Sequence, residues 1–405
     1  MHDIKEIVIH KIISLNVWLE QNGWFGYDPY DIKGGRCVIW LTRRGNHSKI
    51  FAIIREVVFE LFYTFPKFCR KIFKIEPQIN AKAMGLFASG YLGLYQAIQN
   101  EEYLAKSTCC MDWLLNHPSK TKIGIGWGYP FDWQSRELIP RGTPNGIVTT
   151  AAGEAFWRWY KHTGEKKYLE VCKKTGLFLA SLPIKTVEED KICFSYTPLY
   201  VNYIHNLNLF VAEFLLKVGL ETNNNMWIEL AGKAVNYTIS CQMDSGAFDY
   251  NGPPEKPANF IDNYHTGFVL RMLFSIYKLT GRKDVLESLR KGYGFYKEKL
   301  FENYQIPRLR PHRKYRIDIH SCSEGILCFS TLSEIFPEAL QYAESIAKWT
   351  IENFQDESGY FYYGILKSRF IGIPFKSKIA YLRWGQAWML PALTNLLLVK
   401  SKNAG

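Results

Sequence analysis

Residues 261–279 read IDNYHTGFVLRMLFSIYKL, and after Thr280-Gly281 the chain continues RKDVLESLRKGYGFYKEKL to residue 300. The first segment is apolar on nearly every side of a helix, which requires burial, whereas the second carries Lys and Glu along one face that can meet water. Gly281 stands where helices characteristically stop. The pair reads as one helical hairpin with an inner and an outer rod.

The same unit recurs along the chain. Apolar, small-residue-rich stretches begin near Ala81, Ile147, Ile204, Tyr264, His320 and Leu382, at intervals of about 55 to 65 residues. A period of that size points to a repeat architecture. The expected inner and outer helices are 81–99 with 101–117, 147–162 with 166–182, 204–219 with 225–242, 264–280 with 283–301, and 320–335 with 338–355. The last inner helix, 382–400, has no outer partner after it, and the helical pattern at 4–21 can supply one. Six inner and six outer helices then close a ring. The expected fold is all-α, an (α/α)6 toroid spanning 1–405 as one domain, with 22–80 as an irregular N-terminal segment carrying an amphipathic helix.

Bulk properties narrow the function classes. The chain has 405 residues, a net charge of +12 and a pI near 9.1. That charge suggests an anionic partner, such as an acidic glycan, a lipid-linked saccharide or a membrane surface. Nucleic acid is disfavoured, because zinc-finger spacing, RNA-binding signatures and Lys/Arg-rich tracts are all missing. The 12 Trp, 25 Tyr and 26 Phe make an unusually aromatic chain, in which part belongs to the core and the remainder suits stacking on sugars or other flat ligands, two uses that composition does not separate. The nine cysteines are scattered without a CxxC pair, which argues against a disulfide framework or a zinc site and for a reducing compartment. There is neither a signal-peptide core nor an apolar run of transmembrane length, so a cytoplasmic location is expected. Residues 48–74, interrupted at Pro66 and basic near their end, form a helical candidate for peripheral membrane contact.

The loops that precede the inner helices are long, and long loops inside a compact domain tend to be functional. They carry Trp127, Tyr129, Asp132, Trp133, Gln134 and Arg136, then Arg141 and Asn145, then Tyr196 and Asn206. Further along come Asp262, Asn263 and His265, then Asp318 and His320, then Arg383, Trp384 and Gln386. All should converge at one end of the ring. Single members have plain explanations: Asp262, Asn263 and Asp318 suit helix N-caps, and either histidine suits a core. Recurrence of carboxylate, imidazole, Tyr and Arg at one structural address favours a site.

Two chemistries fit that set. Glycoside hydrolysis needs two carboxyl groups, for which Asp132 and Asp262 are the first pair and Asp318 the reserve. Uronate β-elimination or C5-epimerisation needs a base, from Tyr196, His265 or His320, and neutralisation of a carboxylate, from Arg141, Arg383 or Asn206. A metal site built from Asp262, His265, Asp318 and His320 is the weaker reading, and no cofactor is expected.

The segments GWGYPFDWQSR, IPRGTPN, FSYTP, IDNYHTGFVLRML, YRIDIHSCSEGIL, WTIENFQDESGYFYY and RWGQAWM, with DPYD at 28–31, resemble a poorly characterised bacterial and archaeal family of surface-polysaccharide biosynthesis loci. The ring of hairpins resembles the six-hairpin glycosidase-like proteins. The resemblance implies a toroid acting on carbohydrate, and it supplies no catalytic assignment. The expectation is therefore a glycoside hydrolase, with a lyase or epimerase and a non-catalytic glycan-binding protein as the competing readings.

Overall fold

The computed structural model describes residues 4–135, 137–368 and 372–403. Its helices are α1 (Ile4–Asn22), α2 (Arg36–Gly45), α3 (Lys49–Thr64), α4 (Pro66–Ile72), α5 (Ala81–Ile98), α6 (Glu101–Asn116), α7 (Gly146–Thr163) and α8 (Lys166–Ala180). They continue as α9 (His205–Thr222), α10 (Asn225–Ser240), α11 (Asn263–Thr280), α12 (Lys283–Lys299), α13 (Ile319–Leu332), α14 (Ala339–Phe354) and α15 (Ala387–Asn403).

The odd-numbered helices α5 to α15 form the inner ring. Each touches the next, and α15 closes on α5. The intervening even-numbered helices pack outside their own inner partners, and α1 takes the sixth outer place against α15 and α14. The architecture is the expected (α/α)6 toroid.

Small side chains set the spacing of the inner ring. Every residue of α5 from Ala81 to Leu94 is buried. A Cβ on Gly85 would lie 2.5 Å from the Ala151 carbonyl oxygen of α7, and one on Gly90 would lie 2.8 Å from Leu390 of α15. Only glycine permits backbones to approach this closely. The short turns at one end rely on left-handed residues: Gln99, Gly164, Asn223 and Gly281 all have positive φ. Asn100 and Asn224 then cap the outer helices α6 and α10.

Two features depart from the sequence reading. The stretch after Gly35 is helical as α2, although only Val38 of that helix is buried and, among the described residues, no side chain caps its N-terminus. Its stability comes from packing on α3, with Ile32, Val38, Phe62 and Cys69 making a small core separate from the ring. The long loops also fold into short antiparallel pairs, among them Trp133–Gln134 with Leu138–Ile139 and Ile184–Glu188 with Lys191–Phe194. Pairs this short carry too little alternation to be read in sequence.

Replacing Gly85 by Val should lower the unfolding free energy by about 1–3 kcal/mol, the range for overpacking a tight interface. Urea denaturation followed by far-UV circular dichroism measures it. A loss smaller than the experimental error would mean that α5 and α7 do not rest on backbone contact.

Candidate active site

The inner helices all begin at the long-loop end, so their unpaired backbone amides meet there. Side chains answer four of these termini. Asn80 accepts from the Lys82 amide, Asn145 from Val148, Asp262 from His265 and Asp318 from Ser321, each at 2.9–3.0 Å. A cap of this kind is worth about 1 kcal/mol. Part of the recurrence of polar residues at this address is therefore helix initiation.

Asp262 does more than cap. Its two carboxylate oxygens both lie 2.9 Å from Nδ1 of His265. The carboxylate is buried, while the imidazole keeps 21 % of its surface. Accepting from Nδ1–H fixes the tautomer and leaves Nε2 with a lone pair, the arrangement that makes an imidazole a general base. Tyr250 and Tyr264 hold the ring at centroid distances of 4.8 and 4.2 Å.

Tyr264 joins this dyad to a second histidine. Its ring meets His320 edge-on at 4.7 Å, and His320 stacks on Trp384 at 4.3 Å with Nδ1 3.2 Å from the Trp384 carbonyl. His320 is buried, and burial together with the nearby cations Lys82 and Arg383 holds its pKa well below the ordinary value. It stays neutral at physiological pH. Asp318, also buried, accepts from Nε of Arg316 at 3.1 Å, and the Arg316 side chain as a whole remains a quarter exposed. Burial raises the Tyr264 phenol well above its ordinary pKa, and Tyr30, Asp262 and Asp318 add to the shift. The phenol thus lies within the field of both carboxylates.

The N-terminal segment is clamped over this group. Arg383 makes a two-point pair with Asp28, with Nη2 to Oδ1 at 2.7 Å, and both side chains are buried. Arg70 pairs in the same way with Asp31, at 2.7 and 3.1 Å. Between the two carboxylates, Tyr30 stacks on Trp133 at 5.9 Å and meets Trp384 edge-on. The Lys33 ammonium lies 4.4 Å from the Tyr30 ring, and burial draws its pKa down to about 8.

The other sequence candidates have varied positions. Tyr129 and Tyr196 are buried with their hydroxyls 3.3 Å apart, and Trp133 meets both rings edge-on. Asn206 is buried beside Asp262 and His265 in a pocket of about 10 Å³, and its Oδ1 lacks a hydrogen-bond partner among the described residues. Trp127 is wholly buried and donates its indole N–H to the Leu114 carbonyl. Asn263 donates to the Leu300 carbonyl and accepts from Tyr296, while Gln386 pairs with the Phe361 backbone. These three tie elements together. Asp132 accepts the Arg141 amide at 2.8 Å within its own loop, and Gln134 accepts from Arg43 of α2. Arg136 lies outside the described residues. Among the described residues, no three His, Cys, Asp or Glu side chains converge as a metal site.

Sequence reasoning passed over Tyr30, Lys33, Tyr250 and Arg316 at this end, and Lys82 deeper in the ring. The DPYD run at 28–31 was the available signal for the first pair. A lysine one residue inside an apolar helix was the signal for Lys82. Lys82 is buried on the wall of an axial cavity of about 320 Å³ that also touches Glu154, Arg271, Phe210 and Trp388. Among the described residues no carboxylate pairs with its ammonium, whose nearest aromatic face is Trp388 at 5.0 Å. Burial, with Arg383 and Arg271, holds its pKa well below the ordinary value.

No family model matches the chain, and no curated protein matches its sequence. Solved structures do match in fold. Cellobiose 2-epimerase from Bacillus thermoamylovorans is 12% identical at a TM-score of 0.61, over 81% of this chain and 90% of that one. An α-1,6-mannanase variant from Salegentibacter sp., bound to α-1,6-mannotriose, is 14% identical at 0.60, over 80% and 91%. An unsaturated glucuronyl hydrolase specific for heparin is 13% identical at 0.57, over 79% and 86%. The fold is that of the six-hairpin glycosidase-like toroids.

Two stability measurements test these environments. Asp28→Ala strands the buried Arg383 and should cost about 3–5 kcal/mol in urea unfolding. Lys82→Met should instead stabilise at neutral pH, by an amount on the order of 1–4 kcal/mol. The Lys82 amine has a lower pKa in the folded than in the unfolded state, so unfolding takes up a proton between those values. Wild-type stability should therefore rise with pH towards the ordinary lysine range, and the Met variant should lack that slope. A parallel pH profile for the two proteins would place Lys82 in solvent.

Proposed function

We propose that this chain is a carbohydrate-active enzyme that moves a proton at a sugar carbon adjacent to a carboxylate, in an anionic or lipid-linked surface glycan. The observation that carries the reading is the part-exposed His265 side chain, oriented by buried Asp262, at an aromatic mouth that also holds the part-exposed side chain of Arg316. The C5 proton of a uronate becomes removable when the neighbouring carboxylate is neutralised, because the developing enolate then faces a cation. His265 would take the proton and Arg316 would hold the carboxylate. Tyr30 and Trp133 offer aromatic faces to the sugar ring. Return of a proton gives epimerisation, and loss of the C4 substituent gives elimination.

Hydrolysis by a carboxylate pair is less favoured. Asp132, Asp262 and Asp318 are each engaged by protein donors, and a hydrolytic pair needs one carboxyl placed to protonate the leaving oxygen. The resemblance in fold to a cellobiose 2-epimerase agrees with proton transfer, and the glucuronyl hydrolase and mannanase keep carbohydrate as the substrate class. Nine free cysteines suit a reducing compartment, and we place the enzyme on the cytoplasmic side.

Incubation with uronate-containing oligosaccharides in D2O should introduce deuterium at C5 where the proton returns, or give a 4,5-unsaturated uronide where the C4 substituent leaves, both detected by mass spectrometry and NMR. His265→Ala should slow that exchange by about 10²–10⁴-fold, the usual contribution of a general base. New reducing ends beside a saturated uronate that carries no deuterium at C5 would establish hydrolysis and overturn the proposal.

A further inference from the structure

The apolar face of α3 is turned outward. Ile50, Ile53, Ile54, Val57 and Leu61 follow the i, i+3, i+4, i+7, i+11 spacing of one helix face, and all five are exposed, Ile50 to 70 % and Ile53 to 65 %. Phe65, Phe68 and Ile72 continue the exposed series through α4. The opposite side of α3 already has its own core, where Phe62 meets Phe73 at 5.1 Å and packs with Val38 and Cys69. The outward residues are therefore not needed for folding this segment. An exposed apolar surface of this extent marks an interaction site.

Charge identifies the occupant. Arg43, Arg44 and Lys49 flank the face on one side in sequence, and Lys67, Lys71 and Lys74 on the other, and all six are exposed. Glu56 and Glu60 lie in the same stretch, Glu56 paired with Arg55 at 3.0 Å. In a two-fold dimer the same patch meets itself, which would set these cations against each other. An anionic lipid surface instead takes the apolar side chains into its acyl boundary and the cations at its headgroups. At 16 residues α3 is about 24 Å long, too short to span a bilayer and suited to lying in its plane.

We propose that α3 and α4 form a membrane-docking platform for anionic lipid. The platform is fastened to the candidate active site. Arg70 of α4 pairs with Asp31, Arg43 bonds Gln134 at 3.3 Å, and Arg316 lies 5.6 Å from the Tyr63 ring. Docking would hold the mouth of the ring at the membrane, where a lipid-linked saccharide is presented. The inference rests on the exposed face and its charge, and it holds whether the mouth performs proton transfer or hydrolysis.

Flotation of the full chain with vesicles tests it. Wild type should float with phosphatidylcholine–phosphatidylglycerol vesicles, bind pure phosphatidylcholine weakly, and lose binding as salt rises. The double variant Ile53→Asp/Val57→Asp should bind at least about tenfold more weakly. Lys67→Glu/Lys71→Glu should weaken binding by about fivefold or more per site and abolish the preference for anionic lipid. Thermal melting checks that both variants fold, and the charge variant decides if the first does not. Failure of wild type to bind anionic vesicles would overturn the proposal. So would equal binding by a folded variant. A self-associating species that the aspartate variant disrupts, without vesicle binding, would assign the face to a second copy and also overturn it.

Discussion

Two buried guanidinium–carboxylate pairs hold the N-terminal segment across the open end of the ring. Arg383 belongs to the ring and Arg70 to the helices outside it, and their partners Asp28 and Asp31 lie three residues apart on one turn. Breaking a buried pair leaves an uncompensated charge, so each is costly to lose even if a well-packed apolar substitute would cost little. What the pairs provide is register. They fix Tyr30 between Trp133 and Trp384, and they fix α4 relative to the mouth. The aromatic lining and the outward apolar face both depend on this single turn.

Much of the fold was legible in the sequence for a physical reason. A helix surrounded by other helices must be apolar on every side, and one facing water cannot be, so their alternation marked inner and outer rods. The N-terminal helix found its place because the last inner helix lacked a cover. The short turns were equally readable, since Gly164 and Gly281 occupy backbone conformations that exclude most residues. By contrast, α2 has little burial and, among the described residues, no side chain capping its N-terminus, and only its neighbour makes it a helix.

The candidate site was legible as an address more than as a mechanism. Residues before each inner helix do gather at one end, but Asn145, Asp262 and Asp318 look alike in sequence, and their neighbours separate them. Asn145 stops at capping. Asp262 reaches an imidazole, and Asp318 reaches an arginine that sequence spacing gave no reason to single out. Trp127 and Trp133 differ in the same way, one spending its N–H inside the core and the other facing the tyrosines of the mouth. Types and spacing can nominate such residues, but the hydrogen-bond partner decides what each one does.

The inner helices also all run in the same direction. Six inner-helix N-termini therefore turn their unpaired amides and partial positive charge towards the mouth, while the antiparallel outer helices return theirs to the far rim. The polarity is thus local to the axis of the ring, and it acts on an anionic group that enters the mouth and not on the protein as a whole.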